Sequence, residues 1–221
     1  GMGSYHRAID TRDADAQQYF DQGMVLAFGF NHAEAIRSFR AAQKLDPTCA
    51  MCFWGEALAT GPNINVTAKG KAIMSRDEQI AAFRTLEAAV SLTNGKPDIE
   101  RDLIKALTTH YSPQPIDDRT SLDEAYAKAL GELVTRYPDD DDIAAMYAEA
   151  WMNTMPWNYW SDSTTPRPEI APVIAKLEEI VARSPKHPLA LHLYIHAMEA
   201  SAAPEKAEAA ADALYPLVPG S

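Results

Sequence analysis

The sequence lacks three features that would reveal a function directly: a long hydrophobic run, an excess of positive charge and a full set of metal-binding cysteines. Its longest apolar stretch, Met24 to Phe30, is far shorter than the roughly 20 residues that a helix needs to cross a bilayer. The 20 Lys and Arg residues are outnumbered by 31 Asp and Glu residues, and the resulting net charge of -11 disfavours nucleic acid and anionic membranes as partners. We therefore predict a soluble protein, cytoplasmic or periplasmic, with no membrane span and no nucleic-acid partner.

The two cysteines, Cys49 and Cys52, form a C-x-x-C pattern at the start of a predicted helix. Phe53 stands where attachment of a c-type haem requires a histidine, so that class is excluded. Two thiols alone do not complete a structural zinc site. Packing between helices, a redox or disulfide pair and a share in a metal site remain as interpretations, and the compartment stays undecided.

A helical motif is present between Ala16 and Pro47. Small residues stand where two helices would cross, larger apolar residues surround the crossing, and a proline ends the second helix. The motif consists of Tyr19, Gln22, Gly23, Leu26, Ala35, Phe39, Ala42 and Pro47. It resembles the tetratricopeptide repeat (TPR), and the resemblance implies an all-α, right-handed solenoid of helix pairs that binds its partners in a concave groove.

The same register extends over the whole chain, which is predicted to be a single solenoid domain of about five helix pairs. Repeats of about 34 residues start near residues 16, 50, 97, 141 and 188, with long insertions between the two helices of repeats two, three and four. Apolar residues on the last predicted helix lead us to expect further repeats beyond Ser221. Four short runs also resemble a bacterial branch of longer TPR proteins: Phe20 to Gly23, Phe30 to Ala35, Gly61 to Asn65 and His192 to His196.

The first helix of each repeat is expected to line the groove. In the early repeats these positions are aromatic or apolar, and in the later ones they are polar or ionisable, which fits an amphiphilic ligand or a peptide with an apolar anchor. Burial of the apolar members in the core is the competing interpretation. The predicted groove residues are Phe20, Met24, Phe28, Trp54, Arg101, Lys105, Glu149, His192 and His196.

The three insertions run roughly over residues 61–77, 112–120 and 155–168 and are expected to fold over one side of the groove. The last one is rich in aromatic residues, which a merely solvated loop would not favour. A lid over the groove and a staple that fixes the loops to the flank are both open interpretations. The candidate lid residues are Asn63, Asn65, Trp157, Tyr159 and Trp160.

His192, His196 and Glu199 share one face of a predicted helix, at positions i, i+4 and i+7. Two imidazoles and a carboxylate on one face can hold a divalent metal or act as an acid–base pair. Hydrogen bonding within the groove is the alternative. No other cofactor is predicted.

Two functional hypotheses follow. The first is a non-catalytic binding or scaffold module for a peptide segment or small amphiphile; the second is a metal-dependent or acid–base enzyme using His192, His196 and Glu199. The acidic run Asp139 to Asp142 is assigned to neither, because acidic residues at that place are expected to cap a helix.

Overall fold

A computed structural model describes residues 3–65, 67–68 and 71–217 of the chain. These residues are mostly helical, which confirms the all-α prediction at the level of fold class. None of the helices in the described ranges has the length and apolarity needed to span a membrane. The chain divides into two compact units, which we describe separately.

The N-terminal unit consists of Ser4–Gly61 and Met74–Tyr126. Its helices are α1 (Ala14–Phe28), α2 (His32–Leu45), α3 (Ala50–Thr60), α4 (Arg76–Ser91) and α5 (Asp98–Thr108). Each helix packs against the next one in sequence, and α1 and α5 also contact α3. Helix α6 (Thr120–Arg136) has residues in both units.

The C-terminal unit consists of the described residues of Pro62–Ile73 and Ala127–Gly220. Its helices are α7 (Asp141–Thr154), α8 (Ala171–Arg183), α9 (Pro188–Met198) and α10 (Glu208–Leu217), and a 3-10 turn at Pro204–Ala207 precedes the last one. Successive helices again pack together, and α7 also contacts α9. In each unit the helices therefore contact the helices that are next, or next but one, in the sequence.

Side-chain caps fix several of the helix starts. Asp13 accepts a hydrogen bond from the Ala16 amide at the start of α1, and Ser75 forms a reciprocal capping box with Glu78 at the start of α4. Asp140 accepts from the Ile143 amide at the start of α7. The acidic run that contains Asp140 therefore caps a helix, as the sequence predicted.

Two glycines allow three helices of the N-terminal unit to approach each other around one aromatic ring. A Cβ atom at Gly23 of α1 would lie 2.6 Å from Phe39 Cε1, and one at Gly55 of α3 would lie 2.4 Å from the same atom. Both distances are far below van der Waals contact, so the Phe39 ring fills the space that the two missing side chains leave.

The long connections lie between α3 and α4, between α5 and α6, and between α7 and α8. The first includes residues 66, 69 and 70, which are outside the described residues. Two short antiparallel hairpins occur within these connections, although the sequence analysis predicted only helices. They pair β1 (Thr67–Ala68) with β2 (Lys71–Ala72), and β3 (Trp160–Asp162) with β4 (Thr165–Pro166).

Candidate functional site

The candidate site lies in the C-terminal unit, where the connection after α7 meets α9 and the turn at Pro62–Asn65. The Trp160 indole N–H donates a 2.7 Å hydrogen bond to the Ala197 carbonyl near the end of α9. The Ala202 amide donates to the Ser163 carbonyl at the tip of the same connection. These two bonds hold the connection against the end of α9 and the segment that follows it.

Trp157 is the most exposed aromatic residue of this connection. Its backbone adopts a φ of 63°, in the left-handed region that bulky side chains rarely occupy. Its indole N–H donates a 2.7 Å hydrogen bond to the Ile64 carbonyl, yet 43% of the residue remains exposed. The structure therefore holds a large aromatic surface in a fixed position while leaving it open to solvent.

The Trp157 ring meets the His196 ring edge to face, with 5.1 Å between centroids and an interplanar angle of 88°. His196 in turn contacts His192 one helical turn earlier, with 3.0 Å between the two Nε2 atoms. Both histidines are half-buried. The two imidazoles therefore lie on one face of α9 and are hydrogen-bonded to each other, which was the alternative to a metal or acid–base role.

Glu199 lies on the other side of His196. Its Oε2 is 3.6 Å from His196 Nδ1, whereas His192 faces His196 Nε2. The two nitrogens of one imidazole ring point in different directions, so the three predicted metal ligands do not converge on one point. No group of three or more His, Cys, Asp or Glu side chains in the described ranges is arranged to hold a metal ion. The three-ligand form of the metal prediction is therefore wrong.

Glu149 and Tyr159 form a more buried layer of the site. Glu149 is half-buried on α7, and loss of hydration raises the pKa of its carboxyl group to about 7. Tyr159 is 1% exposed, and its pKa is raised by burial and by the nearby Glu199 and Glu149 carboxylates. Tyr159, predicted as part of a lid, is thus a core residue that supports the connection.

The turn that precedes Asn65 is also held from within. The Asn63 side chain, 5% exposed, accepts a hydrogen bond from the Asn65 amide at 2.9 Å. The Asn153 amide group on α7 donates to the Pro62 carbonyl at 3.4 Å, while its buried Oδ1 has no hydrogen-bond partner among the described residues. Asn63, a candidate lid residue, is therefore buried and shapes the turn from within, whereas the other candidate in this turn, Asn65, is exposed.

Four predicted groove residues of the N-terminal unit lie in the core instead. Phe20, Met24 and Trp54 have no exposed surface, and Phe28 is 3% exposed. Phe20 packs against Phe39 of the next helix, with 5.7 Å between centroids, and Phe28 meets the Tyr5 ring edge to face at 5.3 Å. Because packing against adjacent helices buries this face, these residues have no surface for a ligand in this structure.

The remaining two predicted groove residues, Arg101 and Lys105, are exposed on α5. Arg101 pairs with Asp98 one turn earlier and donates a 2.9 Å hydrogen bond to the Lys96 carbonyl. These contacts are local, because Asp98 starts the same helix and Lys96 lies just before its N-cap. Nothing in them indicates a ligand.

A buried polar cluster in the N-terminal unit has no counterpart in the sequence analysis. His110 Nε2 lies 3.0 Å from Asp123 Oδ1, and Arg119 Nη2 donates a 2.6 Å hydrogen bond to the His110 carbonyl. Burial lowers the pKa of His110. The nearby Tyr111 hydroxyl donates to the Ala57 carbonyl at 2.6 Å. Only Arg119 and Asp123 are spaced by one helical turn, and His110 and Tyr111 lie in the connection before α6, so no sequence signal could have grouped all four.

The same unit contains a cleft of about 550 Å³, bordered by Asp10, Asp13, Asp46 and Lys96 among others. Its polar groups already have structural roles. Asp13 caps α1, Lys96 pairs with Asp10 at 2.9 Å, and Asp46 accepts from the hydroxyl groups of Thr11 and Thr48. The cleft is therefore a weaker candidate than the site on α9.

Cys49 and Cys52 form a disulfide bond at the start of α3. Both residues are fully buried, and Cys49 Sγ also accepts a hydrogen bond from the Cys52 amide, as a helix cap does. Of the interpretations left open by the sequence, the structure supports a buried disulfide that fixes the first turn of α3.

Comparisons with protein-family models, with curated proteins and with solved structures found no significant match.

Proposed function

We propose that this chain is a TPR-like helical repeat protein that acts as a non-catalytic binding module. Two kinds of observation support the repeat architecture: the TPR-like motif between Ala16 and Pro47, and the packing of successive helices within each unit. Helical repeats of this kind offer extended surfaces for partners, and loops inserted in them usually modify the binding face.

The ligand surface that we propose consists of Trp157, His192, His196 and Glu199. Trp157 carries this proposal, because a left-handed backbone at a large aromatic residue costs roughly 1–3 kcal/mol and persists only where surrounding contacts enforce it. Here the bonds to Ile64 and from Trp160 to Ala197 enforce it. Strained residues of this kind cluster at ligand sites.

The chemistry of this surface selects an amphiphilic ligand, either a peptide segment or a small amphiphile. The exposed indole offers an apolar face for a side chain or an acyl group. The two imidazoles and the exposed Glu199 carboxylate beside it offer hydrogen bonds and charge to a polar end. An enzyme that uses His192, His196 and Glu199 is favoured by no specific observation, because His192 and Glu199 face different nitrogens of His196.

Selection of binders from a library tests the proposal. A phage-displayed library of random 12-residue peptides is selected on the wild-type chain, and a fluorescent fatty-acid analogue is titrated in parallel. We expect Trp157→Ala to weaken the best binders by about 10- to 100-fold, since loss of an aromatic anchor costs about 1–3 kcal/mol.

Tyr215→Ala is the matched control, because Tyr215 is an aromatic residue of the same unit that is 88% exposed. Its removal should leave affinity unchanged. The proposal is wrong if binders of both classes tolerate Trp157→Ala, or if the two variants weaken binding equally.

A further inference from the structure

The contact between His192 and His196 brings together the two ring nitrogens that these residues could offer to one metal ion. Both residues lie on α9 one turn apart, and both present the same ring nitrogen, Nε2, to each other at 3.0 Å. Their ring planes are inclined by 45°. An imidazole pair in contact through Nε2 and Nε2 is the arrangement in which two adjacent histidines chelate one ion.

The separation of the two nitrogens matches that of two ligands on one metal ion. Metal–imidazole bonds are about 2.0–2.1 Å long, so two nitrogens at a right angle on a tetragonal ion lie about 2.9 Å apart. On a tetrahedral ion the separation is about 3.3 Å. The observed 3.0 Å lies between these values and nearer to the tetragonal one.

We propose that His192 and His196 form a two-imidazole binding site for a late first-row divalent cation, with Cu²⁺ bound most tightly. Imidazole nitrogen suits Cu²⁺, Ni²⁺ and Zn²⁺, and Cu²⁺ is the strongest binder in this series. The inference goes beyond the proposed function, since the ion is a ligand of different chemistry from a peptide or amphiphile.

Glu199 supplies the outer part of this site. Its carboxylate lies 3.6 Å from His196 Nδ1, the ring nitrogen that does not face His192. A carboxylate at the remote nitrogen of a metal-binding histidine fixes the ring orientation and raises the basicity of the ligating nitrogen. The geometry that excludes Glu199 as a third ligand therefore suits it as a positioning residue.

Two protein ligands leave the other coordination positions to water or to donor atoms of a bound molecule. Both histidines are half-buried beside the exposed Trp157 ring, so one side of the ion would be shielded by protein and another accessible.

Without the ion, one neutral imidazole donates a hydrogen bond to the other. When both Nε2 atoms bind the cation, that proton moves to the Nδ1 atom of its own ring, and none is released. Protons compete with the cation for the imidazole nitrogens, so the affinity for the cation falls as pH is lowered.

Titration of the full chain with CuSO₄ in the presence of glycine tests the site. Glycine is a weak chelator that outcompetes isolated surface histidines. We expect one Cu²⁺ per chain, with electron paramagnetic resonance and electron spin-echo modulation that show two equatorial imidazole nitrogens. Bound Cu²⁺ should also quench tryptophan fluorescence, and Trp157→Phe should remove most of that quenching.

Variants then assign the ligands. His192→Ala and His196→Ala should each weaken Cu²⁺ binding by at least about 10-fold, and Glu199→Gln by about 10-fold through loss of the carboxylate charge near His196 Nδ1. His6→Ala is the matched control, because the His6 side chain is 60% exposed and lies in the other unit. Circular dichroism checks that each variant is folded. If a variant is not folded, the electron paramagnetic resonance spectra of the Cu²⁺-bound wild-type chain still test which ligands hold the ion.

The proposal fails if the wild-type chain binds no Cu²⁺ against glycine, or if the bound ion shows fewer than two imidazole nitrogens. It also fails if His192→Ala/His196→Ala retains the stoichiometry and affinity of the wild type. None of these results affects the peptide and fatty-acid measurements with Trp157→Ala, so the two proposals can fail separately.

Discussion

The carboxyl group of Glu149 should make the stability of the C-terminal unit fall as pH rises, and Glu149→Gln should remove much of that fall. Burial raises the pKa of this group from 4.5 to about 7 in the folded chain. Below pH 4.5 the group is protonated in both states and has no effect. As pH rises towards 7 the unfolded chain ionises first, so folding stability decreases; above pH 7 the loss is complete.

The size of this loss of folding free energy follows from the pKa of Glu149, which is 4.5 in the unfolded chain and about 7 in the folded chain. Each unit of that difference, about 2.5 units in all, corresponds to about 1.4 kcal/mol. Between pH 5.5 and pH 8 the free energy of unfolding of the wild type should fall by about 2 kcal/mol more than that of Glu149→Gln, because the glutamine amide stays neutral throughout. Urea denaturation at four pH values in this range measures it. Three tryptophans of the C-terminal unit, Trp151, Trp157 and Trp160, report unfolding by fluorescence.

Glu132→Gln is the matched control for this experiment, since Glu132 is exposed on α6. It should reproduce the pH dependence of the wild type. If Glu149→Gln also shows the pH dependence of the wild type, the Glu149 carboxyl group is hydrated in the folded chain. The inference that burial raises its pKa is then refuted.

Three further substitutions test what stabilises the N-terminal unit. Gly55→Ala should destabilise the N-terminal unit by about 2–3 kcal/mol in urea denaturation, because its Cβ would overlap the Phe39 ring. Ser75→Ala should cost about 1 kcal/mol in the same assay through loss of the α4 cap. The double substitution of Cys49 and Cys52 by alanine should cost about 2 kcal/mol, the value expected for so short a closed loop, and thiol titration of the unfolded wild type should find no free thiol.

The helical character of the chain could be predicted because it depends on local patterns. Ala35 and Phe39 of α2 are spaced by one helical turn and are both buried, and Asp140 precedes α7 as a cap. The same reasoning placed His192 and His196 one turn apart, where the structure shows them in contact. Periodicity fixes which residues share a helix face.

Periodicity does not fix what covers that face. Phe20 and Trp54 were predicted as groove residues, but neighbouring helices bury both completely. The orientation of Glu199 towards one particular nitrogen of His196 depends on rotamers at the end of α9. The left-handed backbone of Trp157 depends on contacts with Ile64, far away in sequence. Tertiary contacts of this kind have no local sequence signal.

The site combines residues on a regular helix with a residue on an irregular connection, and each kind of element contributes something different. The imidazoles stand on α9, a regular helix whose first turn is capped by His187, so their positions are set by the scaffold. Trp157 stands on a connection, where an irregular backbone allows the left-handed conformation that a helix would forbid. Its hydrogen bond to Ile64 then removes the freedom that the connection would otherwise give it. A ligand that binds here meets side chains already in place, so less of the interaction energy is spent on ordering them than at a mobile loop.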